Sequence, residues 1–109
     1  MKSQPLSRAA SGLFRALLHR VEESRHRILL IEASSTDWQS LTFSGERHLL
    51  ALRITGQGVG NVAGTLTDGL ADAEFEIAGH IVADIAASPA IDEPNGSVLV
   101  RIEALTVAE

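Results

Sequence analysis

Cysteine is absent from the 109 residues, which removes disulfides, zinc–thiolate sites and thiol catalysis together. Aromatic residues make up 4% of the chain and none is tyrosine, too few for a platform on which single-stranded nucleic acid could stack. The only lysine is Lys2. The glycine-rich run Gly56–Gln57–Gly58–Val59–Gly60–Asn61 therefore lacks the lysine of a P-loop, and Asn61 stands where a dinucleotide fingerprint needs its third glycine. The metalloprotease pattern HExxH, the nucleophile pattern GxSxG and the zinc pattern of nucleotide deaminases are also missing. No apolar run approaches the roughly 18 residues of a membrane-spanning helix. No cofactor is called for.

What remains has globular composition, with 45% hydrophobic and 21% charged residues. At this length about 65% of the chain's surface can be buried, enough for one core without staples. One domain over residues 1–109 is expected.

Charge is distributed unevenly. Residues 1–27 carry Lys2, Arg8, Arg15, Arg20, Arg25 and Arg27 against Glu22 and Glu23, whereas the remainder carries three arginines against twelve carboxylates. A basic arm on an acidic body either binds an anionic partner through Arg8, Arg15 and Arg20 or neutralises its own neighbour. One basic helix face is a small electrostatic footprint, so neutralisation is preferred and nucleic acid is not expected as a partner. The first 21 residues are rich in arginine and serine and free of acids, as transit peptides are, but a structural helix accounts for them equally. They lack the apolar stretch of a secretory signal, and a cytoplasmic location is expected.

Leu6, Ala10, Leu13, Phe14, Leu17 and Val21 recur at spacings of three and four, which predicts an amphipathic helix over about residues 5–24. Pro5 suits its first position, with Ser3 or Gln4 as the cap. The period then changes to two. Residues 27–34 read as a strand, and residues 38–44 and 47–55 as a hairpin turning at Gly45–Glu46. That register sets Leu41 against Leu50, Phe43 against His48, and Trp38 against Arg53 as a cation–π pair. Asp68–Gly69 reads as a second hairpin turn between strands 59–67 and 70–87, with a short helix through Val62, Leu66 and Leu70 as the alternative. Residues 88–96 form a loop and 97–107 a last strand. No βαβ crossover is expected. The fold class is α+β: an N-terminal amphipathic helix on a mostly antiparallel meander sheet of five or six strands, or the same sheet curled into a small barrel or sandwich.

A single helix covers one face of such a sheet. Leu29, Ile31, Leu49, Val82, Leu99, Leu105 and Val107 alternate away from the covered side and would form a large wet apolar patch. Either the sheet closes or a second subunit covers it, and a homodimer or higher homo-oligomer is the expectation.

The titratable residues suggest one catalytic arrangement. Glu76, His80 and Asp84 fall on one side of an ideal strand, about 13 Å apart at each step. That is too far to share a metal, so a site would need neighbours such as Glu32, Arg53, Arg101 or Glu103. His80 with Glu76 or Glu103 is the candidate acid–base pair, at a subunit-boundary pocket. The contrary reading is a solvated face with Asp84 paired to Arg101. Trp38 and Arg53 are the candidate ligand contacts. His19 and His26 lie among arginines and His48 on an apolar face, so no metal site is expected. The leading expectation is a self-associating interaction or ligand-binding module without catalysis.

Overall fold

A computed structural model describes residues 6–109. Helix α1 spans Arg8–Val21 and continues as a 3-10 turn through Glu22–Arg27. Its cap is Ser7, whose hydroxyl accepts from the Ala10 amide at 3.1 Å. The expected cap at Ser3 or Gln4 and the role of Pro5 lie outside the described residues. Ala10, Leu13, Leu17 and Val21 are buried, so the periodic stripe is the core face.

Strands β1 (Ile28–Gln39), β2 (Ser44–Ile54), β3 (His80–Ala87), β4 (Ile91–Asp92) and β5 (Val98–Ala108) form one sheet that does not close. Its order is β1-β2-β5-β3, with β4 also beside β5. Every pairing is antiparallel. The chain nevertheless departs from a meander at one step, because β5 is inserted between β2 and β3. Both neighbours run opposite to β5 and hence parallel to each other. The segment joining them is a split crossover carrying α2 (Val59–Thr67). A β–α–β connection is therefore present, contrary to expectation, although no two adjacent strands are parallel.

Two segments differ from the preferred sequence reading for identifiable reasons, the first by adopting the short helix that is its alternative. Residues 59–67 are helical because Val59, Val62, Ala63 and Leu66 form a helical stripe, and Val62, Ala63 and Leu66 are buried. That burial outweighs the poor propensity of Gly60 and Gly64, which face outward. Gly69 (φ 62°) then supplies the left-handed residue after the helix, so Asp68–Gly69 ends α2 instead of turning a hairpin. The expected strand over 70–87 shortens to β3, preceded by a 3-10 turn at Leu70–Asp72.

The first hairpin turns at Ser40–Phe43, not at Gly45–Glu46. The Ser40 amide donates to the Phe43 carbonyl at 2.8 Å, and the Phe43 amide donates to Ser40 Oγ at 3.1 Å. A serine side chain thus closes the turn. Leu41 and Phe43 are exposed at its tip, so neither pairs with Leu50 or His48. Trp38 faces Gly45, and Arg53 faces Leu29 and Leu99, so the expected cation–π pair is not formed. Gly45 sits inside β2 because the backbone and the indole crowd it. A Cβ there would run into the Thr106 carbonyl and lie 2.9 Å from Trp38 Nε1.

The sheet's inner face carries Leu50, Leu52, Ile54, Val98, Val100, Ile102 and Ile85, packed with α1 and α2. Two arginines fasten this layer. Arg20 Nε donates to the Leu66 carbonyl at 2.8 Å and its Nη2 to that of Asp68. Arg27 Nε donates to the Thr55 carbonyl at 2.7 Å and its Nη2 to that of Gln57.

Replacing Gly45 with alanine should destabilise the protein by about 1–3 kcal/mol, because the added methyl meets backbone that cannot yield. A urea midpoint unchanged in Gly45→Ala would refute this account of the residue.

Candidate functional site

Two β-bulges decide where the titratable residues point. Ile31 is the extra residue in β1 and Ala83 the extra residue in β3. Before the second bulge His80 pairs with Ala108 and Val82 with Thr106; after it Asp84 pairs with Leu105 and Ala86 with Glu103. The even positions of β5 line the inner face and the odd positions the outer one. His80 and Val82 therefore share the inner side, while Asp84 is on the outer face with Glu103. A one-residue insertion reverses the facing of everything beyond it.

The anticipated acid–base row is thereby split. Glu76 lies before β3 and lines an open depression of about 600 Å³ with Phe75, Gly79, His80 and Ile81. Glu103 is on the opposite face from His80, near the middle of β5. Asp84 is level with Leu105 and not with Arg101, so that expected pair is not formed. His80 Nδ1 donates to the Ala78 carbonyl at 3.1 Å and the ring is half-buried. It also lines a cleft of about 290 Å³ with Asp37, Trp38 and Glu46. His80 and Trp38 are thus brought together, whereas Arg53 is elsewhere, held in a two-pronged ion pair with Glu93 (Nε–Oε1 2.8 Å, Nη2–Oε2 2.9 Å). The Arg53 guanidinium, with help from the Ser97 hydroxyl, keeps the Glu93 carboxyl below the usual carboxylate range.

The polar constellation that the sequence did not disclose is centred on His48, which is fully buried on the inner face. Its Nδ1 lies 2.7 Å from Ser35 Oγ and its Nε2 2.9 Å from Thr106 Oγ1. Thr106 Oγ1 also reaches the Glu46 carbonyl at 3.5 Å and can only donate there. The hydroxyl oxygen then accepts from His48 Nε2–H, so Nδ1 accepts from Ser35 O–H. Burial pushes the imidazole below its ordinary value of 6.5, opposed by the nearby Glu46. The cross-strand register through β1, β2 and β5 was the missing signal, because the three residues are far apart in sequence. The arrangement satisfies a buried neutral imidazole and holds three strands together. The buried Trp38 Nε1 has no partner among the described residues.

Of the basic candidates on α1, Arg8 and Arg15 are exposed, while Arg20 is committed to the α2 carbonyls. Among the described residues no group of three or more His, Asp or Glu side chains is placed to hold a metal ion. Nor is any helix long and apolar enough to cross a membrane.

The outer face is the largest feature left. From one end, its rows read Leu29–Arg53–Leu99–Ile91, then Glu32–Ala51–Arg101, Ser34–Leu49–Glu103–Ala86, Thr36–Arg47–Leu105–Asp84 and Trp38–Gly45–Val107–Ile81. Leu29, Ile31, Leu49, Ile81 and Ile91 are 45–53% exposed. Val82, expected here, lies instead on the inner side, and Ile81 takes its place. No known family, curated protein or solved structure matches the chain.

A histidine held neutral by burial destabilises the fold where the unfolded chain would bind a proton that the folded chain refuses. Stability is therefore complete above pH 6.5, the ordinary value, and falls as the pH drops below it. Thermal melts should show wild type and His48→Gln converging between neutral and mildly acidic pH. A stability difference that stays constant over that interval would contradict the assignment.

Proposed function

We propose that this protein is a non-catalytic, self-associating module whose contact surface is the outer face of the sheet. The observation that carries the reading is the run of half-exposed aliphatic side chains across all the strands of that face. Full burial of such a side chain is worth about 1.5–3 kcal/mol and roughly half of that is still to be gained at each, so the face is a reserve of binding free energy. Its size fits as well. Four strands at about 4.8 Å spacing and some 33 Å long present roughly 650 Å² in projection, near the ~800 Å² per partner of a stable interface once corrugation is added. Two such faces stacked about 10 Å apart make a sandwich core.

The charged groups support a binding role over catalysis. His80 and Glu103 address opposite sides of the sheet, Glu76 shares only an open depression with His80, and Arg53 is already neutralised by Glu93. The buried Ser35–His48–Thr106 line joins strands, with His48 itself sealed from solvent.

Sedimentation velocity at tens of micromolar protein should give a particle of at least twice the 11.6 kDa chain mass. Leu49→Asp, at the centre of the face, should return it to a single folded chain. A wild-type species of 11.6 kDa at that concentration would sink the proposal.

A further inference from the structure

The central strand of the outer face has a charge order that matches itself when reversed. Along β5 the outward residues run Leu99, Arg101, Glu103, Leu105, Val107, with the two charges at the centre. Arg101 and Glu103 are both exposed, and among the described residues neither has an ion-pair partner. Resting on the self-association proposed above, we infer that the second copy sits face to face, related by a twofold axis crossing β5 at the level of Ile102, perpendicular to the strand. That operation lays Arg101 over Glu103 of the second copy, and Glu103 over its Arg101. It also lays Leu99 over Leu105, and on the next strand Leu49 over Ala51.

Two other in-plane twofolds fail on charge. An axis running along β5 sets Arg101 on Arg101 and Glu103 on Glu103. An axis along the gap between β5 and β2 sets Arg101 on Ala51 and Glu103 on Leu49, leaving both charges covered and unpaired, which is costly. The transverse axis alone among these pairs every central charge with its opposite.

Geometry limits the matching to the centre. Residues two apart on a strand are about 7 Å apart, so Arg101 and Glu103 each lie about 3.4 Å from the axis. Stacked sheets are rotated by about 30°, which displaces these two by less than 2 Å. At about 10 Å from the axis the same rotation moves a residue by about one strand spacing. Arg53 and Arg47, which reversal alone would superpose, are thereby carried past each other. Buried ion pairs of this kind select the geometry more than they strengthen it, so reversal of one sign is the informative change.

The dimer dissociation constant, from sedimentation equilibrium, tests this with four proteins whose fold is checked by circular dichroism. R101E and E103R should each weaken the dimer by at least about tenfold, because each stacks like charges twice. The doubly reversed R101E/E103R should return to within about threefold of wild type. Mixing the two single variants should also rescue association, since one copy then presents two glutamates and the other two arginines. If wild type dimerises and Leu49→Asp abolishes it, yet the single reversals change nothing, the face remains the interface and this axis is wrong. A double variant as weak as the singles, or a mixture that does not pair, overturns the axis equally. A wild-type monomer removes both this inference and the function it rests on.

Discussion

Both helices lie on one side of the sheet, and the rest of the molecule follows from that constraint. The crossover from β2 to β3 must pass over β5, and it does so on one face, carrying α2 with it. Helix α1 packs beside α2 on the same side, where Ala9, Ala10, Leu13 and Leu17 are sealed from water. With both rods spent on the inner layer, the outer layer keeps its leucines and isoleucines in solvent. A fold's net stability is only about 5–15 kcal/mol, and a handful of uncovered aliphatic side chains is comparable with it. Covering that face is thus a matter of the whole fold's energetics.

The uneven charge in the sequence has a local use. Arg20 and Arg27 reach out of the basic N-terminal segment to backbone carbonyls at the two ends of α2. The end of a helix leaves carbonyls without intrahelical partners and with partial negative charge, which a guanidinium satisfies in two directions. Arg20 serves that end through Leu66 and Asp68, and Arg27 secures the loop that leads into the helix through Thr55 and Gln57. Two of the five arginines in that segment are therefore internal fastening, with Arg8, Arg15 and Arg25 exposed.

How much was legible divides along physical lines. Strong periodicity survived: the Leu13–Leu17–Val21 stripe and the alternation of β5 both mark the face that is buried. The α+β class was legible for the same reason. What misled was glycine. Gly45 resembled a turn and instead admits the Thr106 carbonyl and the indole, while Gly69 resembled a hairpin and instead ends a helix. Both meanings of glycine are invisible until the neighbour is known. The candidate site suffered most, because bulges at Ile31 and Ala83 leave no mark in composition yet reverse which side a residue faces. Ser35, His48 and Thr106 meet only because three strands take one particular register, and nothing local announces it.

The same bulges bear on how copies of this chain can meet. Strands β1 and β3 are the sheet's edges, and an exposed edge is a standing invitation to add another strand. Each is interrupted by an extra residue that breaks the ladder, and the far half of β1 presents Ser34, Ser35, Thr36 and Asp37, which favours water over another strand. Edge pairing also builds open-ended arrays, whereas a face can be used only once. The outer face in turn is not uniformly greasy: Glu32, Arg47, Arg101, Glu103 and Asp84 stand among its aliphatic residues. Uniform apolarity would accept any partner in any orientation, while interspersed charges penalise all but a few. Under the self-association proposed above, blunted edges and a charge-marked face together would steer copies toward one closed pair, without adding to the strength of the contact.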